Sequence, residues 1–137
     1  MICLQRLQKL LLQKDYVDSQ INANGDNFIR QTFTANGSSS FTVGTLKNIT
    51  GQTYYVSRIT IKITTAFVGA DELIISDGTN TLVGALDTDI SETGFFIIDQ
   101  GYEVTSAGGA TITATIQNGG ASASPTTGTV IVGVEYK

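Results

Sequence analysis

The hydrophobic pattern changes its period once along the chain. Over the N-terminal segment Ile2, Leu4, Leu7, Leu10, Leu11, Val17 and Ile21 recur at helical spacing, with Gln, Lys and Asp between them. The series Cys3, Leu7, Leu10, Lys14, Val17 and Ile21 also alternates steps of four and three, as a short coiled-coil seam would, with Lys14 interrupting it. Asn24-Gly25 supplies a stop. The spacing predicts an amphipathic helix or arm over residues 1–25. A helix this short is marginal alone and must dock its apolar face, either on its own domain or on a partner.

From Phe28 onward the period is two. Ile29, Gln31, Phe33 and Ala35 alternate with Arg30, Thr32 and Thr34, and Asn36-Gly37-Ser38 closes the run. Phe41, Val43 and Thr45 predict a second strand. Over Tyr55 to Phe67, the clearest strand, Tyr55, Ile59, Ile61, Ile63 and Phe67 share one face and Arg58, Thr60, Lys62 and Thr64 the other. Leu73-Ile74-Ile75 and Thr81-Leu82-Val83 flank Ser76-Asp77-Gly78-Thr79-Asn80, a hairpin signature. Phe95 to Ile98 is a continuous apolar run, followed by Tyr102 to Thr105. Ala110 to Ile116 and Val130 to Tyr136 alternate again, and Gln117 to Thr127 reads as the longest flexible loop. Eight or nine short strands at turn spacings of about ten residues predict an all-β domain over 26–137, an antiparallel β-sandwich or jelly roll. Its expected core holds Phe33, Ile59, Ile61, Ile63, Phe67, Ile112, Ile116, Val130, Val132 and Val134.

Composition narrows the chemistry. In 137 residues only 15% are charged, so Thr, Ser, Asn and Gly must supply the polar surface. The net charge of −4 hides an asymmetry. Residues 1–62 carry seven bases and three acids, whereas residues 63–137 carry nine acids and only Lys137. Either the surface is simply uneven, or the first half meets an acidic partner. The bases are scattered, which argues against nucleic acid as that partner. The run Leu10-Leu11-Leu12 is far too short for a signal peptide or a membrane span, so synthesis in the cytoplasm without membrane insertion is expected. Asn36-Gly37-Ser38 and Asn48-Ile49-Thr50 match the glycosylation pattern but read as turns.

Candidate catalysis fails for want of atoms. With no histidine and Cys3 the single cysteine, there is no nucleophile–imidazole pair, no disulfide within the chain and no thiolate metal site. No phosphate loop precedes a helix. The acids of Asp87-Thr88-Asp89-Ile90-Ser91-Glu92 could bind Ca²⁺ or serve a glycosidase, but EF-hand spacing is absent and Asp and Ser commonly cap turns. Asp71, Glu72 and Asp77 read the same way. No enzyme activity, cofactor or metal is expected. Tyr54, Tyr55, Tyr102 and Tyr136 are candidate partner anchors, with at least two expected to fill the rims of the domain instead.

The runs Ser57-Arg58-Ile59-Thr60-Ile61-Lys62-Ile63-Thr64-Thr65-Ala66-Phe67 and Glu72-Leu73-Ile74-Ile75-Ser76-Asp77-Gly78 resemble tailed-phage virion proteins. Thr111 to Ile116 and the closing Gly133-Val134-Glu135-Tyr136 share that texture. Over residues 50–137 the chain resembles the cement (decoration) proteins of cyanophage-like capsids and the domains of head or tail fibres. The resemblance implies a virion protein on the capsid surface, a homotrimer whose arm grips the major capsid protein; it carries no family residue over. In the arm, Leu4, Leu7, Leu10, Leu11, Val17 and Ile21 are the expected partner-binding side chains. A fibre domain binding carbohydrate or a host receptor is the alternative, which exposed aromatics in the Gly/Ser loops would mark.

Overall fold

The computed structural model describes residues 27–47, 53–99, 101–105 and 110–137. The expected arm over 1–25, with Leu4, Leu7, Leu10, Leu11, Val17 and Ile21, lies outside them. Ten strands follow in chain order: β1 (Asn27–Thr34), β2 (Ser40–Thr45), β3 (Thr53–Thr65), β4 (Glu72–Ser76), β5 (Thr81–Val83), β6 (Gly94–Ile98), β7 (Tyr102–Thr105), β8 (Thr111–Asn118), β9 (Ala121–Ser122) and β10 (Thr129–Tyr136). No helix occurs among the described residues.

The strands form two antiparallel sheets. In the first the order is β1-β10-β3-β6, with β7 also on β3; in the second it is β2-β8-β4-β5, with β9 on β8. Strands β6 and β7 lie end to end along β3: Ile98 is opposite Ile59 and Tyr102 opposite Val56. Alternation gives each sheet one apolar face. Val130, Val132, Val134 and Tyr136 of β10 are buried, as are Ile112, Ala114 and Ile116 of β8. The buried residues of both sheets belong to one hydrophobic cluster, which includes every side chain the sequence assigns to the core. Burying each large aliphatic side chain there contributes about 1.5–3 kcal/mol. Among the described residues Ile29, Phe41, Phe96, Ile98 and Ala110 pack against this cluster.

Two details correct the alternation read from the sequence. Tyr55 does not share the core face of Ile59; it is exposed, and Tyr54 and Val56 are buried instead. The cause is a register shift: Arg58 pairs with Glu135, but Val56 pairs with Tyr136, leaving Ser57 as an extra residue. A bulge of one residue turns every side chain beyond it to the other face. Likewise, the apolar run of β6 is not buried throughout. Phe96 and Ile98 pack on the core, whereas Phe95 and Ile97 face outward, 59% and 52% exposed. The span Gln117 to Thr127 is also more ordered than a free loop. Gly119-Gly120 reverse the chain into β9, and the Ala123 amide donates to the Ile116 carbonyl.

The hairpin β4–β5 turns as its sequence requires. Asp77 Oδ1 accepts from the Thr79 and Asn80 amides at 2.8 and 2.6 Å, and Gly78 has φ +96°. Asp77→Ala should therefore cost about 1 kcal/mol, readable as a lower urea midpoint with an unchanged slope.

Candidate interaction face

The outward sides of the two sheets differ in chemistry. On the second sheet the outward rows bring Ser40, Thr115 and Ile74 together, then Thr42, Thr113 and Ser76: uncharged, and hydroxyl-bearing except at Ile74. On the first sheet the rows are Arg30, Gly133, Thr60 and Ile97, then Thr32, Ile131, Lys62 and Phe95. Apolar and cationic side chains thus share an exposed sheet face. A solvated face of an antiparallel sheet is ordinarily polar, so exposed Phe and Ile there are informative.

Gly133 shapes this face. Its Cβ position would lie 2.8 Å from Thr60 Oγ1 and 3.2 Å from Phe28 Cε1, so the Phe28 ring occupies the space a side chain would need. Phe28, Arg30, Thr60, Lys62, Phe95, Ile131 and Gly133 line a depression of about 230 Å³. Arg58 reaches Asp99 at 3.5 Å, an exposed pair worth about 0–1 kcal/mol. Among the described residues, no carboxylate forms an ion pair with Arg30 or Lys62. The lining combines the apolar side chains of Phe28, Phe95 and Ile131 with the cations Arg30 and Lys62.

The other sequence candidates divide clearly. Tyr54 and Tyr136 are core residues in an edge-to-face contact at 5.1 Å, and the Tyr136 hydroxyl accepts from the Lys47 amide. Burial raises the Tyr136 pKa above its ordinary value. Tyr55 stands exposed over Gly101, and Tyr102 sits on β7 opposite Val56. Four of the acids accept backbone hydrogen bonds from nearby turns. Asp87 accepts from the Gly84 amide at 2.8 Å, and Asp89 from the Ser91 amide and hydroxyl at 2.9 and 2.6 Å. Those Ser91 bonds hold the Asp89 carboxyl below its ordinary value, so this loop keeps its bonds as pH falls until the depressed pKa is crossed. Asp71 and Glu72 accept from the Gly119 and Gly120 amides. Among the described residues no three acidic, histidine or cysteine side chains converge as a metal cage.

Sequence reading did not find the outward face of the first sheet. Its signal was present in the continuous run Phe95 to Ile98, since a strand buried on one side only has no use for four successive apolar residues.

No protein-family model and no curated protein matches the chain. Solved structures do. A chain in the acidic stable capsid structure of Helicobacter pylori bacteriophage KHP30 superposes with a TM-score of 0.51 at 15% identity, over 81% of this chain and 86% of that one. A chain in the capsid asymmetric unit of cyanophage Pam1 gives a TM-score of 0.47 at 18% identity, over 90% and 96% respectively. At this identity, the KHP30 likeness is one of fold.

Proposed function

We propose that this chain is a structural virion protein, a capsid cement or decoration protein that binds and stabilises a phage head, and not an enzyme. The observation that carries the reading is the strand order. With β6 and β7 counted as one interrupted strand and β9 as a side ribbon, eight strands divide between sheets ordered β1-β10-β3-β6 and β2-β8-β4-β5, with successive strands changing sheet except at the β4–β5 hairpin. That order supports a jelly-roll sandwich built of two Greek keys, an architecture used by capsid domains and by lectins. The fold likeness to a chain in the KHP30 capsid structure favours the capsid use, and function must then come from surfaces. Three surface features fit assembly: a Thr/Ser-rich neutral face, an apolar and cationic face, and loop acids held by their own turns.

In this reading residues 1–25 form the arm, and Leu4, Leu7, Leu10, Leu11, Val17 and Ile21 supply its apolar anchors. The domain sits as a homotrimer on the outer surface of the shell and contacts the major capsid protein, without nucleic acid or membrane. A carbohydrate-binding fibre domain would place aromatics in its loops, whereas Tyr55 and Phe95, the two largely exposed aromatics among the described residues, stand on strands.

Purified protein added to heads stripped of their accessory proteins should bind saturably and raise the temperature at which the heads release DNA. Absence of head binding together with binding to host-surface glycans would replace this reading with the fibre one.

A further inference from the structure

Five large hydrophobic side chains are exposed among the described residues: Tyr55, Val68, Leu86, Phe95 and Ile97. Leu86 is the extreme case at 95% exposure. Its turn is fixed, because the Asp87 amide donates to the Gly84 carbonyl and the Gly84 amide donates to Asp87 Oδ2. The leucine is therefore presented as a knob, on a loop that also carries Asp87, Asp89 and Glu92. The depression on the first sheet has the complementary character: Phe28, Phe95 and Ile131 give it apolar lining, Phe28 packs over Gly133, and Arg30 and Lys62 line it as well.

We propose that copies of this chain associate head to tail, Leu86 of one copy entering the Phe28, Phe95, Ile131 and Gly133 depression of the next. The acids beside the knob then face Arg30 and Lys62 of the neighbour, cations without an ion-pair partner in their own chain among the described residues. Charge selects this occupant over two others. Residues 1–26 carry three bases and three acids, so the chain's own arm brings no acidic excess to a cationic lining. A two-fold, face-to-face contact would set Arg30 and Lys62 against their own copies, and like charges brought together repel. A heterologous contact of this kind repeats until the rotation closes a ring. The contact deepens the self-association in the proposed function. It is tested without heads, so its failure leaves shell binding standing.

The test is site-directed cross-linking of the full chain, with Cys3→Ser removing the native thiol. Leu86→Cys and Phe95→Cys are made separately on tags of different size; both positions are exposed and tolerate the change. Under mild oxidation the mixture should yield disulfide-linked pairs containing one of each variant, while each variant alone should yield few. Adding Lys62→Glu to the Phe95→Cys chain should reduce the yield severalfold, and Leu86→Asp should shift the otherwise unsubstituted protein to monomer in sedimentation equilibrium. Cross-linking of Phe95→Cys alone would show a two-fold contact and overturn the proposal. So would a monomeric native chain, no mixed product, or a yield indifferent to Lys62→Glu.

Discussion

Replacing Gly128 with alanine should destabilise the domain by about 3–5 kcal/mol, with the urea midpoint falling and the slope unchanged. Two costs combine at this position. The backbone is held at φ +142°, which L side chains rarely adopt, and a Cβ there would overlap the Phe67 ring at Cγ, Cδ1 and Cδ2. Neither partner can yield readily. Phe67 is 2% exposed, its amide donates to the Ile90 carbonyl, and the Gly128 carbonyl accepts from the Ala35 amide at 2.8 Å. Gly37→Ala is the natural control. Its φ is +89° with nothing within 4 Å of the added carbon, so it incurs the conformational cost alone, about 1–2 kcal/mol. A Gly128 variant no worse than the Gly37 variant would mean that Phe67 relaxes freely and the loop packing is looser than the contacts indicate.

This difference could not have been read from the sequence, where both residues are turn glycines. What was legible is whatever period and turn chemistry encode locally. The alternation in β8 and β10 gave the buried faces, and Asp77-Gly78 gave the hairpin, because each depends on residues within a few positions. Tyr55 was assigned to the wrong face because the extra residue at Ser57 is defined only by pairing with β10, far away in the chain. The apolar and cationic face of the first sheet is hidden from the sequence for a related reason. Phe28, Ile131 and Phe95 lie on three strands, and only the register of β1, β10, β3 and β6 brings them together. By contrast, the uneven charge of the two halves was visible at once; the structure adds that two of the bases, Arg30 and Lys62, flank one depression.

The arm carries the second large prediction, because in the proposed reading it is the grip on the shell. Deleting residues 1–25 should leave a folded, cooperatively unfolding domain that no longer binds heads. If Leu4, Leu7 and Leu11 lie on the shell, several buried leucines at about 1.5–3 kcal/mol each outweigh exposed ion pairs at about 0–1 kcal/mol. Binding should then persist as salt rises, since screening weakens charge contacts and leaves apolar burial intact. If Leu7, Leu10, Val17 and Ile21 instead line a three-helix seam, Leu10→Asp should convert trimers to monomers. The most direct test of the cement reading is co-sedimentation of full-length and arm-deleted protein with stripped heads, at low and at high salt. The account predicts that full-length protein pellets with heads at both salt concentrations and arm-deleted protein at neither. Equal pelleting of the two forms, or of neither, would contradict it.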